Sequence, residues 1–171
     1  TGSSFFFMDE GADSGDIIST EDIMISKEDN ARTLYNKIIA TAKQQILSVV
    51  MNLRHGEYSK IPQDNTLANT WRKRGMKDGE IDWRMSCKRI FDLVRALSAP
   101  YIGAHCIYKK KETKIWEVEF ILDEDVDEYS NIEPGKVMSI ESNHLIIKTG
   151  DGLVKIINHE FERLPCVGEY L

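Results

Sequence analysis

Apolar positions recur along this chain with changing periods, and the changes divide it. Residues 3–8, Ser3-Ser4-Phe5-Phe6-Phe7-Met8, form an apolar run closed by Asp9-Glu10-Gly11, which predicts a buried strand entering a turn. Asp13-Ser14-Gly15-Asp16 is a second turn, rich in side chains that bond their own backbone. Ile17-Ile18-Ser19-Thr20 and Ile23-Met24-Ile25 then predict a return strand, the pair lying at the edge of a larger sheet. Leu34, Ile38, Ala42, Ile46, Val49 and Leu53 follow at steps of three and four, one stripe of a long helix. Ser26 is its expected N-cap, with Asp29 in the reciprocal position of a capping box, and His55-Gly56 its end.

Residues 57–82 hold no period and contain Pro62, Gly75 and Gly79, so they read as a long linker or functional loop. Ser86 is placed to cap a second helix with Ile90, Leu93, Val94 and Leu97 on its buried face, stopped at Ala99-Pro100. Beyond it the period shortens to strands at 104–108, 114–122, 135–140, 144–148 and 153–157. Turn residues join them at Pro134-Gly135, Ser142-Asn143 and Gly150-Asp151-Gly152. Short, evenly spaced strands favour a small closed barrel, which leaves no free edge. A domain boundary near residues 55–60 is expected, with the second helix packed on the barrel.

A length of 171 residues allows one domain, or a small domain plus part of another. The opening apolar run predicts a piece whose sheet neighbours lie upstream. Net charge is −6, but it is unevenly spread. Residues 1–30 carry eight acids against one Lys, residues 31–120 carry 17 bases against nine acids, and residues 121–171 carry 11 acids against four bases. The basic middle suits an anionic ligand, the acidic flanks disfavour a long nucleic acid, and a mixed surface with no partner fits the charge equally. Cys87, Cys106 and Cys166 are too scattered for a zinc site or disulfide framework and predict buried thiols in a reducing cytoplasm. No stretch resembles a membrane span or a signal peptide.

Two segments carry candidate chemistry. Asp9-Glu10-Gly11-Ala12-Asp13-Ser14-Gly15-Asp16 holds four carboxylates and two glycines, but lacks the alternation of a calcium loop. It is either a solvated turn or the seat of an acid–base or orienting carboxylate. Trp71-Arg72-Lys73-Arg74 through Trp83 frames cations with two indoles, which suits a phosphate-bearing aromatic ligand or single-stranded nucleic acid. A merely solvated basic loop fits equally. His55, His105, His144 and His159 show no metal-ligand spacing.

In this order and at this separation, the segments resemble the formyltransferases that use 10-formyltetrahydrofolate. Ser4-Phe5-Phe6-Phe7-Met8-Asp9-Glu10-Gly11 with Asp13-Ser14-Gly15-Asp16-Ile17-Ile18 is similar to that family's aspartate loop. Asp78-Gly79-Glu80-Ile81-Asp82-Trp83, Val94-Arg95-Ala96-Leu97 and Pro100-Tyr101-Ile102-Gly103-Ala104 resemble its C-terminal hinge. Pro134-Gly135-Lys136-Val137 and Lys148-Thr149-Gly150-Asp151-Gly152 resemble the turns of its barrel.

The resemblance implies an α/β remnant of a Rossmann-like catalytic domain over residues 1–56, a hinge over 57–85, and an OB-like barrel with a packed helix over 86–171. It implies that Asp13 is the catalytic aspartate, supporting a histidine and an asparagine that lie upstream of this chain. Backbone groups of Glu10, Gly11 and Ala12 would border the folate pterin. The isolated chain is then expected to be inactive, and its parent a cytoplasmic enzyme for which a homodimer is open. Of two acceptor classes, the acidic end of the chain and the hinge wording favour a nucleotide-linked amino sugar over methionyl-tRNA. Arg72, Lys73, Arg74 and Trp83 are the candidates to meet the nucleotide. The rival from another class is a non-catalytic nucleic-acid-binding or interaction module.

Overall fold

The computed structural model describes residues 1–121 and 129–171, which form two compact units, Thr1–Lys73 and Arg74–Leu171. In the first unit, β1 (Gly2–Phe6) and β2 (Ile17–Asp22) pair antiparallel, from Gly2 opposite Asp22 to Phe6 opposite Ile17. The return strand is shorter than predicted. Its last rung is the bond from the Ile23 amide to the Thr1 carbonyl (2.7 Å), and Met24 and Ile25 are exposed.

The helix α1 (Ala31–His55) starts four residues later than the expected cap would place it. Asn30 is the N-cap: its side chain accepts from the Thr33 amide, and the Thr33 hydroxyl accepts from the Asn30 amide, both at 3.0 Å. The Asp29 carboxylate does accept from the Ser26 amide (2.7 Å), but this bond closes the turn ahead of the helix. Asp29 also binds Lys37 Nζ (2.6 Å) and the Thr33 hydroxyl (2.9 Å). Lys37 first, then the Ser26 amide, holds this carboxyl well below the usual carboxylate range.

The stripe on α1 differs from the expected one for a geometric reason. Helical residues advance about 100° each, so repeated four-residue steps drift by about 40°. Relative to Leu34, Gln45 lies about 20° away and Val49 about 60°, whereas Ile46 and Leu53 have rotated about 120° and 100°. Gln45 and Val49 are buried accordingly, while Ile46 and Leu53 are 45% and 38% exposed. Gln45 Nε2 donates to the Ser3 carbonyl and the Ser19 hydroxyl, both at 3.1 Å, and so pins the helix to both strands. Gly56 ends the helix at φ 71°, with the Glu57 amide returning to the Asn52 carbonyl (2.9 Å).

The chain does not leave this unit at residues 55–60. Ile61 exchanges two backbone bonds with Ile17 (2.9 and 3.0 Å), laying residues 58–63 along the hairpin. The division therefore falls between Lys73 and Arg74.

The second unit is an antiparallel sheet of five strands with α2 (Cys87–Leu97) packed on it. The strands are β3 (Ala104–Tyr108), β4 (Lys111–Ile121), β5 (Val137–Glu141), β6 (His144–Lys148) and β7 (Leu153–His159). Leu122, assigned to the second of these from the sequence, lies outside the described residues. The order is β3-β4-β7-β6-β5. Ile90 and Val94 of α2 meet Ile115, Leu145, Ile147, Val154 and Ile156 in one apolar core.

The expected OB-like barrel does not close among the described residues. Among the described residues β3 and β5 stay unpaired with each other, because other segments occupy their outer edges. Glu80 bridges His105 on β3, and the Ile81 amide donates to the His105 carbonyl (2.8 Å). At the other edge, Val137 of β5 and Gly135 just ahead of it bond to Glu169 and Leu171 of the C-terminal segment (2.8 and 2.9 Å). The curled sheet is then tied by side chains. Glu169 accepts from the Tyr108 hydroxyl (2.6 Å) and pairs with Lys109 (2.9 Å). Trp83 fills the gap between the two edges: it is 5% exposed, and a methyl group on Gly135 would sit 3.5 Å from its Cδ1.

The predicted turn at Gly150-Asp151-Gly152 also caps α2. The Asp151 carboxylate accepts from the Cys87 amide at the helix N-terminus (2.7 Å), where negative charge is favoured. Two of the three thiols are buried as expected, and Cys166 is exposed. Burial pushes the Cys106 thiol up to about 12.

Two outcomes follow. Trp83→Ala should cost about 3–5 kcal/mol, the range for deleting a buried aromatic side chain, read from urea unfolding. The Tyr108 hydroxyl, the Cys166 amide and Lys109 hold the Glu169 carboxyl down at about 2. Because the folded value is depressed, this contribution is complete above the unfolded value of about 4.3 and lost as pH falls through the folded one. Glu169→Gln should therefore lower the thermal midpoint near neutral pH, with the gap to the parent closing toward about pH 2.

Candidate active site

The loop between β1 and β2 is built around a close backbone approach. Gly15 packs so tightly on the preceding strand that a Cβ there would lie 1.6 Å from the Phe7 carbonyl oxygen. Phe7 then donates to the Asp16 carbonyl (2.9 Å), which carries the ladder beyond the last strand residue. On the near side, Asp9 Oδ1 accepts from the Gly11 amide (2.9 Å) and the Ser14 hydroxyl (2.8 Å). This Asx-type turn folds residues 9–14 into a compact bend.

Asp13 sits at the crest of that bend with φ 59°, in the left-handed region that Asp and Asn enter more readily than other non-glycine residues. Its side chain is exposed, as are Glu10, Gly11 and Ala12. The backbone amides of Glu10 and Ala12 have no partner among the described residues, so donors are available beside Asp13 for the edge of a polar heterocycle. Residues 10–13 thus present exposed backbone donors beside one carboxylate.

The segment after α1 completes the loop. Tyr58 packs on Phe7 (ring centroids 5.7 Å apart) and Lys60 Nζ stands 4.5 Å above the Phe7 ring. Gln63 Nε2 donates to the Asp13 carbonyl (2.8 Å) and to the Gly15 carbonyl (2.7 Å). Nothing in the sequence singles out Gln63. It stands in an aperiodic stretch, about 50 residues from its partners, and only the fold brings it there.

The other candidates are distributed between the units. Arg72 and Lys73 are exposed and close the first, where the Arg72 guanidinium lies 3.5 Å from the Lys73 carbonyl. Arg74 is exposed and opens the second. Trp83 belongs to the core, and its indole Nε1 is buried without a partner among the described residues. It forms the floor of an open groove of about 570 Å³ whose rim carries Lys77, Glu80, Asp82 and Arg84. Arg84 is engaged there by a two-point ion pair with Asp82 (2.6 and 2.8 Å). The exposed indole is instead Trp71, which donates to Asn69 (2.8 Å). Among the described residues no group of His, Cys, Asp and Glu gathers to hold a metal ion, and no helix is long and apolar enough to cross a membrane.

Residues 75–165 match the family model of the formyl transferase C-terminal domain. The methionyl-tRNA formyltransferase of Halothermothrix orenii is 35% identical over 158 residues, covering 92% of this chain and 50% of the relative. The chain thus spans about half the length of that relative. Among solved structures, HypX from Aquifex aeolicus in complex with tetrahydrofolic acid superposes with a TM-score of 0.67 at 19% identity, over 95% of this chain and 27% of that one. An N-formyltransferase from Helicobacter canadensis, in complex with folinic acid and dTDP-3-aminofucose, superposes with a TM-score of 0.68 at 19% identity, over 92% and 55%. With 92–95% of the chain covered, these likenesses take in most of both units.

The close approach at Gly15 can be tested directly. Gly15→Ala places a methyl group on a backbone oxygen and should destabilise the first unit by about 1–3 kcal/mol, the usual range for forced overpacking. Hydrogen exchange should accelerate at the amides of residues 7–17 while those of the five-stranded sheet keep their protection.

Proposed function

The chain belongs to the formyltransferase family, and we propose that it is the C-terminal part of an enzyme that moves a formyl group from 10-formyltetrahydrofolate to a primary amine. The observation that supports this most is the loop at residues 9–16, in which an exposed carboxylate stands on a backbone held from three directions. In this reading 10-formyltetrahydrofolate supplies the formyl group, and the backbone of Glu10, Gly11 and Ala12 lines the pterin. Asp13 takes the proton-handling and orienting role. A carboxylate in that role works by being placed before the reaction begins, so that little reorganisation accompanies proton movement. The partner groups that would polarise the formyl oxygen belong to the part of the parent that precedes this chain.

For the acceptor we favour a nucleotide-linked amino sugar in the cytoplasm. The excess of acids over residues 121–171 opposes docking of a tRNA on the second unit, whereas Arg72, Lys73 and Arg74 leave exposed cations for a pyrophosphate. Methionyl-tRNA is the second reading, and the similarity to the Halothermothrix orenii enzyme supports it.

The 171-residue chain alone is expected to show no formyl transfer above that of its Asp13→Asn variant. In the full-length protein, Asp13→Asn should lower kcat by about 10²–10⁴, the usual worth of a positioned acid–base group. Turnover measured with 10-formyltetrahydrofolate against methionyl-tRNA and a panel of nucleotide-linked amino sugars decides the acceptor. Faster turnover of methionyl-tRNA would overturn the sugar preference.

A further inference from the structure

We propose that Gln63 is the positioning residue of Asp13, so that a side chain from beyond the long helix sets the direction of the loop carboxylate. The inference rests on the reading of Asp13 as the catalytic carboxylate and adds the element that holds it.

An amide nitrogen carries two hydrogens, and both are used here on one short stretch of backbone. One meets the Asp13 carbonyl (2.8 Å), the other the Gly15 carbonyl (2.7 Å), on either side of Ser14. Both neighbours are pure acceptors, so the amide nitrogen rather than its oxygen must face them. The same stretch is tethered at its start, where Asp9 binds Gly11 and Ser14, and at its end, where Gly15 lies against Phe7. The Asp13 side chain has no tether among the described residues, and its φ of 59° belongs to a minor backbone basin. The Gln63 bond to its own carbonyl is therefore what keeps Asp13 in that basin. Leaving the basin would turn the carboxylate away while the rest of the loop stayed in place.

Gln63 is itself held. Ile61, two residues before it, exchanges both backbone bonds with Ile17, and Tyr58 packs on Phe7. The strap over residues 58–63 thus begins and ends on the segments that frame the loop. Gln63 does not touch the Asp13 carboxylate in the described contacts, so its effect runs through geometry and not through charge.

The test uses the full-length protein with saturating 10-formyltetrahydrofolate and its best acceptor. Gln63→Ala should lower kcat about 10- to 100-fold, the loss expected when a reacting group is misplaced by about 1 Å, with KM for both substrates held within about two-fold. In an Asp13→Asn background the same change should have little further effect, because the group it positions is already gone. Gln63→Glu gives a second reading that a mere loss of stability would not produce. Its ionised carboxylate faces two carbonyl oxygens without a hydrogen to offer, while the protonated form regains one donor. Activity relative to the parent should therefore rise as pH falls from about 7 toward 5, a rise that Gln63→Ala does not share.

Unchanged kcat in Gln63→Ala, with Asp13→Asn strongly impaired, overturns the positioning role and leaves the catalytic reading intact. A loss that persists undiminished in the Asp13→Asn background overturns it too, and assigns Gln63 to stability alone. Full activity in Asp13→Asn removes the catalytic reading itself.

Discussion

The carbonyl of Phe7 and the α-carbon of Gly15 approach until no side chain fits between them, and the first unit is arranged around that approach. It forces the chain to reverse within the residues that separate β1 from β2, and the reversal lifts Asp13 to the crest. Once the backbone is folded so tightly, its polar groups need partners close by. Asp9 serves the near side and Gln63 the far side. The backbone beneath the exposed Asp13 carboxylate is thereby held on both sides. The carboxylate keeps its contact with water.

The second unit answers a different constraint, the free edges of an antiparallel sheet. A five-stranded sheet curls with its natural twist, but β3 and β5 do not meet. The hinge covers one edge through Glu80 and Ile81, and the C-terminal segment covers the other through Glu169 and Leu171. Trp83 fills the space between those covers, and Glu169 ties the C-terminal segment to the end of β3. The result resembles a barrel in its packing and not in its hydrogen bonding. A motif expected to meet a ligand, the tryptophan of Asp82-Trp83, belongs for that reason to the core.

Several features were legible because their cause is local. Short apolar runs bounded by turn residues marked β3 and β6 to the residue, and Ser86 capped α2 as its position ahead of an apolar stripe implied. Gly56 ended α1 because left-handed backbone there favours a residue without a Cβ. The start of α1 was misplaced because Ser26 and Asp29 form the side-chain bond of a capping box without the helix. That bond fits a free-standing turn equally well, and Asn30 with Thr33 supplied a better cap one turn on. The stripe on α1 went astray by arithmetic: three four-residue steps rotate Ile46 off the face that Leu34 begins.

The sequence by itself determined the succession of elements, the aspartate loop and the family to which the chain belongs, since each depends on residues near one another in the chain. Tertiary structure alone decided which groups hold those elements in place. Gln45 bonding across two strands, Gln63 bonding to Asp13 and Gly15, and Trp83 standing between two sheet edges all join positions dozens of residues apart. A polar side chain aimed at a distant carbonyl leaves no period and no motif, because its partner is backbone, and backbone is the same at every position.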